Sequence, residues 1–224
     1  MQPAMANSKV FVASSLVDVV EGLVEASGIQ GISVVAGSSS SLARQIKAGA
    51  PADLFISAHM DWAEFVAGDQ ELLPLFSNRL VLISHDDVAL PDPFALAEQL
   101  GQARLAIGDP DHVPAGIYAR QALEHLGLWP DVQNRLAPAD NVRAAARLVQ
   151  TGLAPFGIVY ASDAQLLKLN VAYEFEAQTH TPITYWAVPL HADKPAIASF
   201  VQFLGSDDAR AIVVSYGFMP LEGQ

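Results

Sequence analysis

The sequence predicts an α/β protein of two lobes, each a mainly parallel sheet flanked by helices, joined by two crossover segments. Three observations predict it. Short apolar, β-rich runs alternate along the chain with helical patterns. The runs are apolar at consecutive positions, as strands covered on both faces require. They also outnumber what one small sheet needs, in a chain of 224 residues that can hold two domains of about 100 residues each.

In order, KVFVA (9–13) is a strand leading into a helix over 16–26, and ISVVA (32–36) leads into a helix over 42–48. Gly49 ends that helix in the position just beyond the C-cap, where a left-handed residue is favoured. DLFIS (53–57) precedes a helix over 60–66, and RLVLIS (79–84), RLAIG (104–108) and FGIVY (156–160) repeat the arrangement. Helices are expected over 117–126, 142–150 and 163–169. TYWAVPL (184–190) is one more strand, followed by helices over 196–204 and 209–216. The chain crosses between lobes near 79–84 and returns near 184–190, so residues 7–80 with 188–224 form one lobe and 81–187 the other.

Composition narrows the function. A hydrophobic fraction of 51% supplies a sizeable core, yet no apolar run approaches the roughly 18 residues of a spanning helix, so direct membrane insertion is not expected. There are 24 acidic against 12 basic residues and no basic cluster, which argues against nucleic acid or anionic lipid as partner. Cysteine is absent, which excludes disulfides, thiolate metal sites and cysteine nucleophiles. Residues 1–6 place Ala4 and Ala6 around Met5 in the A-x-A pattern of a signal-peptidase site and read as the stump of an export signal.

Ligands of open α/β sheets bind beyond the carboxyl ends of strands, where loops lead into helix N-termini. Those loops here are SSL (14–16), GSSSS (37–41), GDPDHVPAG (108–116), PADNVRAAA (138–146) and YASDA (160–164). They carry hydroxyls and backbone amides and almost no cations. Helix N-termini present unpaired N–H groups with a partial positive charge, so this inventory suits an anion held by neutral donors. In the serine run, Ser40 or Ser41 is expected to cap the helix while Ser39 turns its hydroxyl and amide toward the oxyanion. A net charge of −12 opposes anion binding. Screening over a Debye length of about 8 Å limits the reach of distant carboxylates, and hydrogen bonds to a charged group, each about 1.5–3 kcal/mol, outweigh the remainder.

Other chemistries find less support. The six histidines have no zinc spacing, and the serine run lacks the Gly-Lys-Ser/Thr ending of a P-loop. No G-x-S-x-G elbow occurs, and Asp109, Asp111 and Asp140 are read as loop acids or helix caps, so no enzyme is expected. Trp62, Trp129 and Trp186 are read as packing residues, and Arg44, Arg120, Arg143 and Arg147 as solvated faces or ion pairs.

Five stretches together, VASSL, GSSSSLARQIKAGAPADLFIS, GDPDHVPAGIYARQALEHLG, LAPADNVRAAARLV and GIVYASDA, resemble the periplasmic molybdate-binding proteins, the ModA type of ABC-importer substrate-binding component. The likeness runs from about Lys9 to Phe218. It implies a type II periplasmic-binding fold that closes by a hinge on one tetrahedral dianion, molybdate or tungstate, without enzymatic chemistry. Carried over residue by residue, it implies Ser15 and Ser39 as hydroxyl donors, with Ser38 left open by one position. It further implies Ala115 and Val142 as amide donors and Tyr160 as a hydroxyl donor. The ligand is molybdate or tungstate, met through its oxygens with no direct protein ligand to the metal, and no other cofactor is implied. The implied partner is the membrane permease of an importer, and the implied state is a periplasmic monomer. The chain departs from the family pattern at Ser14, where alanine is usual, and in a shorter first helix region.

A fully deprotonated tetrahedral oxyanion accepts hydrogen bonds and donates none, so its ideal wall holds N–H and O–H groups and no ionised carboxylate. Hydrogen phosphate would leave its proton unpaired there, a means of rejection. Sulfate shares charge and shape, so cavity radius must exclude it. A sulfate binder and the sensing module of a transcription regulator are the alternative readings.

Overall fold

In the computed structural model, which describes residues 8–221, every strand expected from the apolar runs is present. The expected export-signal remnant at 1–6 lies outside the described residues. The chain forms β1 (Ser8–Ala13), α1 (Val17–Ser27), β2 (Ile32–Gly37), α2 (Ser39–Lys47), β3 (Leu54–Ser57), α3 (Met60–Ala67) and β4 (Leu73–Ser77). It continues through β5 (Leu80–Ser84), α4 (Leu96–Leu100), β6 (Leu105–Gly108), α5 (Pro114–His125), α6 (Trp129–Val132), β7 (Leu136–Ala139) and α7 (Val142–Gln150). Then follow β8 (Phe156–Tyr160), α8 (Ala161–Leu167), β9 (Asn170–Glu174), β10 (Thr184–Pro189), α9 (Pro195–Leu204) and α10 (Asp207–Ser215).

Two compact units result. One holds the chain up to Ser77 and from Thr184 onward; the other holds Asn78–Ile183. These boundaries differ from the expected 80/81 and 187/188. β10 pairs with β4 from its first residue, Thr184 lying opposite Ser77, and with β3 from Trp186 opposite Ser57, so 184–187 go with the first unit. β5 pairs with β8 from Leu80 opposite Tyr160, which puts it wholly in the second.

The first sheet has the order β2-β1-β3-β10-β4 and the second β7-β6-β8-β5-β9. Each is mixed: β10 runs antiparallel to both its neighbours, and so does β5. In each sheet the reversed strand is the first one formed after the chain crosses from the other unit. β4, β7 and β9 were not anticipated. All three are edge strands, half exposed, and two carry an internal proline (Pro74, Pro138), which an edge tolerates more readily than the interior of a central strand.

Central strands are buried on both faces: Leu54 and Ile56 on one face and Phe55 on the other in the first unit, and Leu82 and Ile158 on one face and Ile83 and Val159 on the other in the second, are all 0% exposed. In the first unit Asp53 ties the base of the sheet together, accepting from the Lys9 amide at 2.8 Å and the Lys194 ammonium at 2.7 Å. Burial alone would raise its pKa, but these bonds outweigh that and hold the carboxyl below its ordinary value. Among the described residues no helix is long and apolar enough to cross a membrane.

Candidate functional site

In the first unit β1 lies between β2 and β3, so the carboxyl ends of three parallel strands are neighbours, with Ala13 opposite Gly37. Beyond β1 the chain enters a 3-10 turn, Ser14–Leu16, which buries Ser15 to 3% exposure. Its Oγ lies 3.2 Å from the hydroxyl of Tyr185. The Tyr185 ring is itself wedged against Phe76 and Phe218, with centroids 5.1 and 5.4 Å away.

Beyond β2 the helix starts earlier than its apolar periodicity, at Ser39 instead of residue 42. The N-cap is Ser38, not Ser40 or Ser41 as expected, and its hydroxyl makes no capping bond; it meets the Ser40 hydroxyl at 2.7 Å. The first bond into the helix runs from the Leu42 amide to the Ser38 carbonyl at 2.9 Å. The amides of Ser39, Ser40 and Ser41 precede it and are orphan donors. Ser39, 1% exposed, accepts at Oγ from the Ala58 amide at 3.0 Å, which leaves its hydroxyl hydrogen for an acceptor elsewhere.

The next residue, His59, caps α3 by accepting the Asp61 amide on its ring nitrogen at 3.2 Å. Burial lowers its pKa, with the Asp61 carboxylate opposing.

In the second unit β6 lies between β7 and β8, all three parallel. Asp109 builds the turn after β6. Its amide donates to the Ala139 carbonyl at 2.9 Å, and its carboxylate accepts from the Asp111 amide at 3.0 Å. α5 then opens on Pro114, which has no N–H to orphan and a φ preset for the first helical position. The first intrahelical bond is from the Ile117 amide to the Val113 carbonyl at 2.9 Å, so the amides of Ala115 and Gly116 come before it. Only glycine fits at 116: a Cβ there would stand 2.1 Å from the Gly108 carbonyl oxygen. That close approach presses the start of α5, with buried Ala115, onto the end of β6.

α7 has a proper cap, the Asn141 side chain accepting the Ala144 amide at 3.0 Å. The cap satisfies the third amide and leaves that of Val142, 3% exposed, ahead of the helix's own bonds. Tyr160 ends β8 and occupies the N-cap position of α8 at 1% exposure. Its ring meets Tyr118 edge-on at 6.5 Å, and Tyr118 in turn meets His180 at 5.9 Å. Burial lowers the His180 pKa against a hydrogen bond to the Thr181 carbonyl. Asn78 donates to the Ser162 hydroxyl at 2.7 Å, tying the start of α8 to the beginning of the unit.

The structure therefore places Ser15 and Ser39 beyond the ends of adjacent strands in one unit, and Ala115, Val142 and Tyr160 at adjacent strand ends of the other. Three of the four arginines considered are engaged: Arg44 lies 5.1 Å over the Trp62 ring, Arg120 donates to Glu124 at 2.8 Å, and Arg143 donates to buried Asp163. Among the described residues no cluster of His, Asp or Glu could hold a metal ion. The supporting residues Tyr185, Ala58, Asn78 and Asp163 had no signal in the sequence, except that an arginine in the first turn of α7 sits at the wrong end of the helix dipole.

Residues 9–219 match the family model described as bacterial extracellular solute-binding protein. The chain is 38% identical to the molybdate-binding protein ModA of Escherichia coli (strain K12), over 93% of this chain and 87% of that protein. It is 36% identical to the molybdate-binding protein ModA of Haemophilus influenzae, over 81% and 76%. Among solved structures it is similar in fold to the periplasmic molybdate-binding protein of Azotobacter vinelandii, with a TM-score of 0.85 and 23% identity, over 96% of this chain and 100% of that one. With both sheets, their reversed strands and the loops at the strand ends on hand, these likenesses have one reading: the chain belongs to the bacterial extracellular solute-binding protein family, among its ModA relatives.

Proposed function

We propose that this protein captures molybdate, and tungstate with it, in the periplasm and hands it as a monomer to the permease of an ABC importer, without catalysis. One observation carries the reading: within each unit helices begin at strand ends with first-turn amides not used by the helix, α2 with the buried hydroxyls of Ser15 and Ser39 in the first, and α5 and α7 with the buried hydroxyl of Tyr160 in the second. Such a donor set suits a guest with four acceptor oxygens and no proton.

The proposed contacts are the hydroxyls of Ser15, Ser39 and Tyr160 and the amides of Ala115 and Val142. Ser39 is preferred to Ser38 because its hydroxyl already accepts from Ala58, so its hydrogen has to find another acceptor. Donors from both units on one anion imply hinge closure, since the closed form alone makes every bond. The names of the relatives support molybdate over other oxyanions.

Titration calorimetry with molybdate, tungstate, sulfate and phosphate in turn tests this. Strong heats are expected for the first two and weak or absent heats for the others. Sulfate binding without molybdate binding would overturn the assignment.

A further inference from the structure

The Arg143–Asp163 pair joins the first turns of two helices that each begin with a proposed contact. Arg143 follows Val142 at the start of α7, and Asp163 is the third residue of α8, whose N-cap position is Tyr160. The guanidinium Nε donates to Oδ1 of Asp163. The carboxylate is 0% exposed and the arginine side chain 22%.

Two local rules make this placement informative. A cation in the first turn opposes the helix dipole, whereas an acid in the first turn agrees with it. Burying an ion pair is also often no more stabilising than an apolar pair of the same volume. Stability therefore accounts poorly for the pair, and geometry accounts for it better. A planar guanidinium bonded to a buried carboxylate is a rigid strut, and here it spans the two helix starts that carry the Val142 amide and the Tyr160 hydroxyl. It also keeps the charge adjoining those donors near zero.

We infer that Arg143 and Asp163 are positioning residues that set the spacing between the Val142 amide and the Tyr160 hydroxyl, and thereby the radius of oxyanion the protein accepts. The inference rests on the oxyanion reading above. Sulfate and molybdate carry the same charge and shape, so net electrostatics cancels in the ratio of their affinities, and what remains is size. A merely structural pair would lower stability and weaken both anions alike, leaving that ratio unchanged.

The test compares wild type, Asp163→Asn, Arg143→Lys and the apolar double variant Arg143→Met with Asp163→Leu, each titrated with molybdate and with sulfate alongside a thermal melt. The double variant has no buried unpaired charge, so it stays measurable if Asp163→Asn fails to fold. Loss of the strut is expected to lower the molybdate-to-sulfate affinity ratio by about tenfold or more in the double variant, as displaced donors do. Arg143→Lys, which keeps the charge but loses the planar geometry, is expected to fall between. An unchanged ratio in a folded double variant would overturn the inference and leave the oxyanion reading standing. Wild type that binds no molybdate would remove that reading and this inference with it.

Discussion

The amide of Ala58, just beyond β3, donates to the hydroxyl of Ser39, the first residue of α2, at 3.0 Å. The bond spans the end of β1 and fixes where the hydroxyl hydrogen of Ser39 can point. Replacing Ser39 with alanine removes a donor to the anion and the hydroxyl that accepts from the buried Ala58 amide. Molybdate affinity is expected to fall by about 1–3 kcal/mol and stability by about 1–2 kcal/mol. Calorimetry and denaturant melts read the two separately, and unchanged affinity would take Ser39 out of the site.

Tyr185 holds Ser15 from behind, hydroxyl to hydroxyl at 3.2 Å. Tyr185→Phe keeps the ring packed against Phe76 and Phe218 and deletes the hydroxyl that meets Ser15. Affinity is expected to drop by about 0.5–1.5 kcal/mol, the worth of one neutral hydrogen bond. A larger drop in stability than in affinity, seen in parallel melts and titrations, would count against a role in orienting Ser15.

Tyr160→Phe keeps the edge-on contact with Tyr118 and removes the hydroxyl. The fold should survive with its circular dichroism unchanged, while affinity falls by about 1–3 kcal/mol, the range for a hydrogen bond to a charged group. Wild-type affinity would strike Tyr160 from the contacts.

Ligand linkage gives a direct measure of specificity. Molybdate at about 100 times its dissociation constant should add about 2.7 kcal/mol of stability and raise the melting temperature. Sulfate at the same concentration should raise it far less. A flat molybdate response with a clear sulfate rise would reassign the anion.

His59 and His180 both have pKa values lowered by burial from an ordinary value of 6.5. The unfolded chain therefore binds protons more readily than the native one. The stability these groups contribute is complete above about pH 6.5 and is lost as pH falls from there through their native pKa values. Geometry agrees for His59, whose ring nitrogen must be unprotonated to accept the Asp61 amide. His59→Asn retains an N-cap acceptor and does not titrate, so its stability should decline less than that of wild type between pH 7 and pH 5. Parallel curves in urea melts would exclude His59 as a contributor.

Much of the candidate site was legible as loop chemistry. Hydroxyls and helix-starting residues after apolar runs mark donor positions because strand direction and helix N-termini are local properties. Helix starts were read about two or three residues late at α2, α5 and α8 because the first turn of each faces the strand ends and carries serine, proline or glycine instead of the apolar stripe. The edge strands β4, β7 and β9 lack the doubly apolar pattern because they are half exposed, and β4 and β7 also carry prolines.

Alternating strand and helix patterns, and the polarity of the segments between them, determined by themselves that this chain makes covered α/β sheets whose strand ends offer neutral donors. Tertiary structure alone decided which strand is reversed in each sheet, that Ser38 and not Ser40 or Ser41 takes the N-cap position of α2, and which donors have partners. The physical reason is that hydrogen bonds such as Ala58 to Ser39, Tyr185 to Ser15 and Arg143 to Asp163 join residues distant along the chain. Their partners are chosen by packing, which no local periodicity encodes.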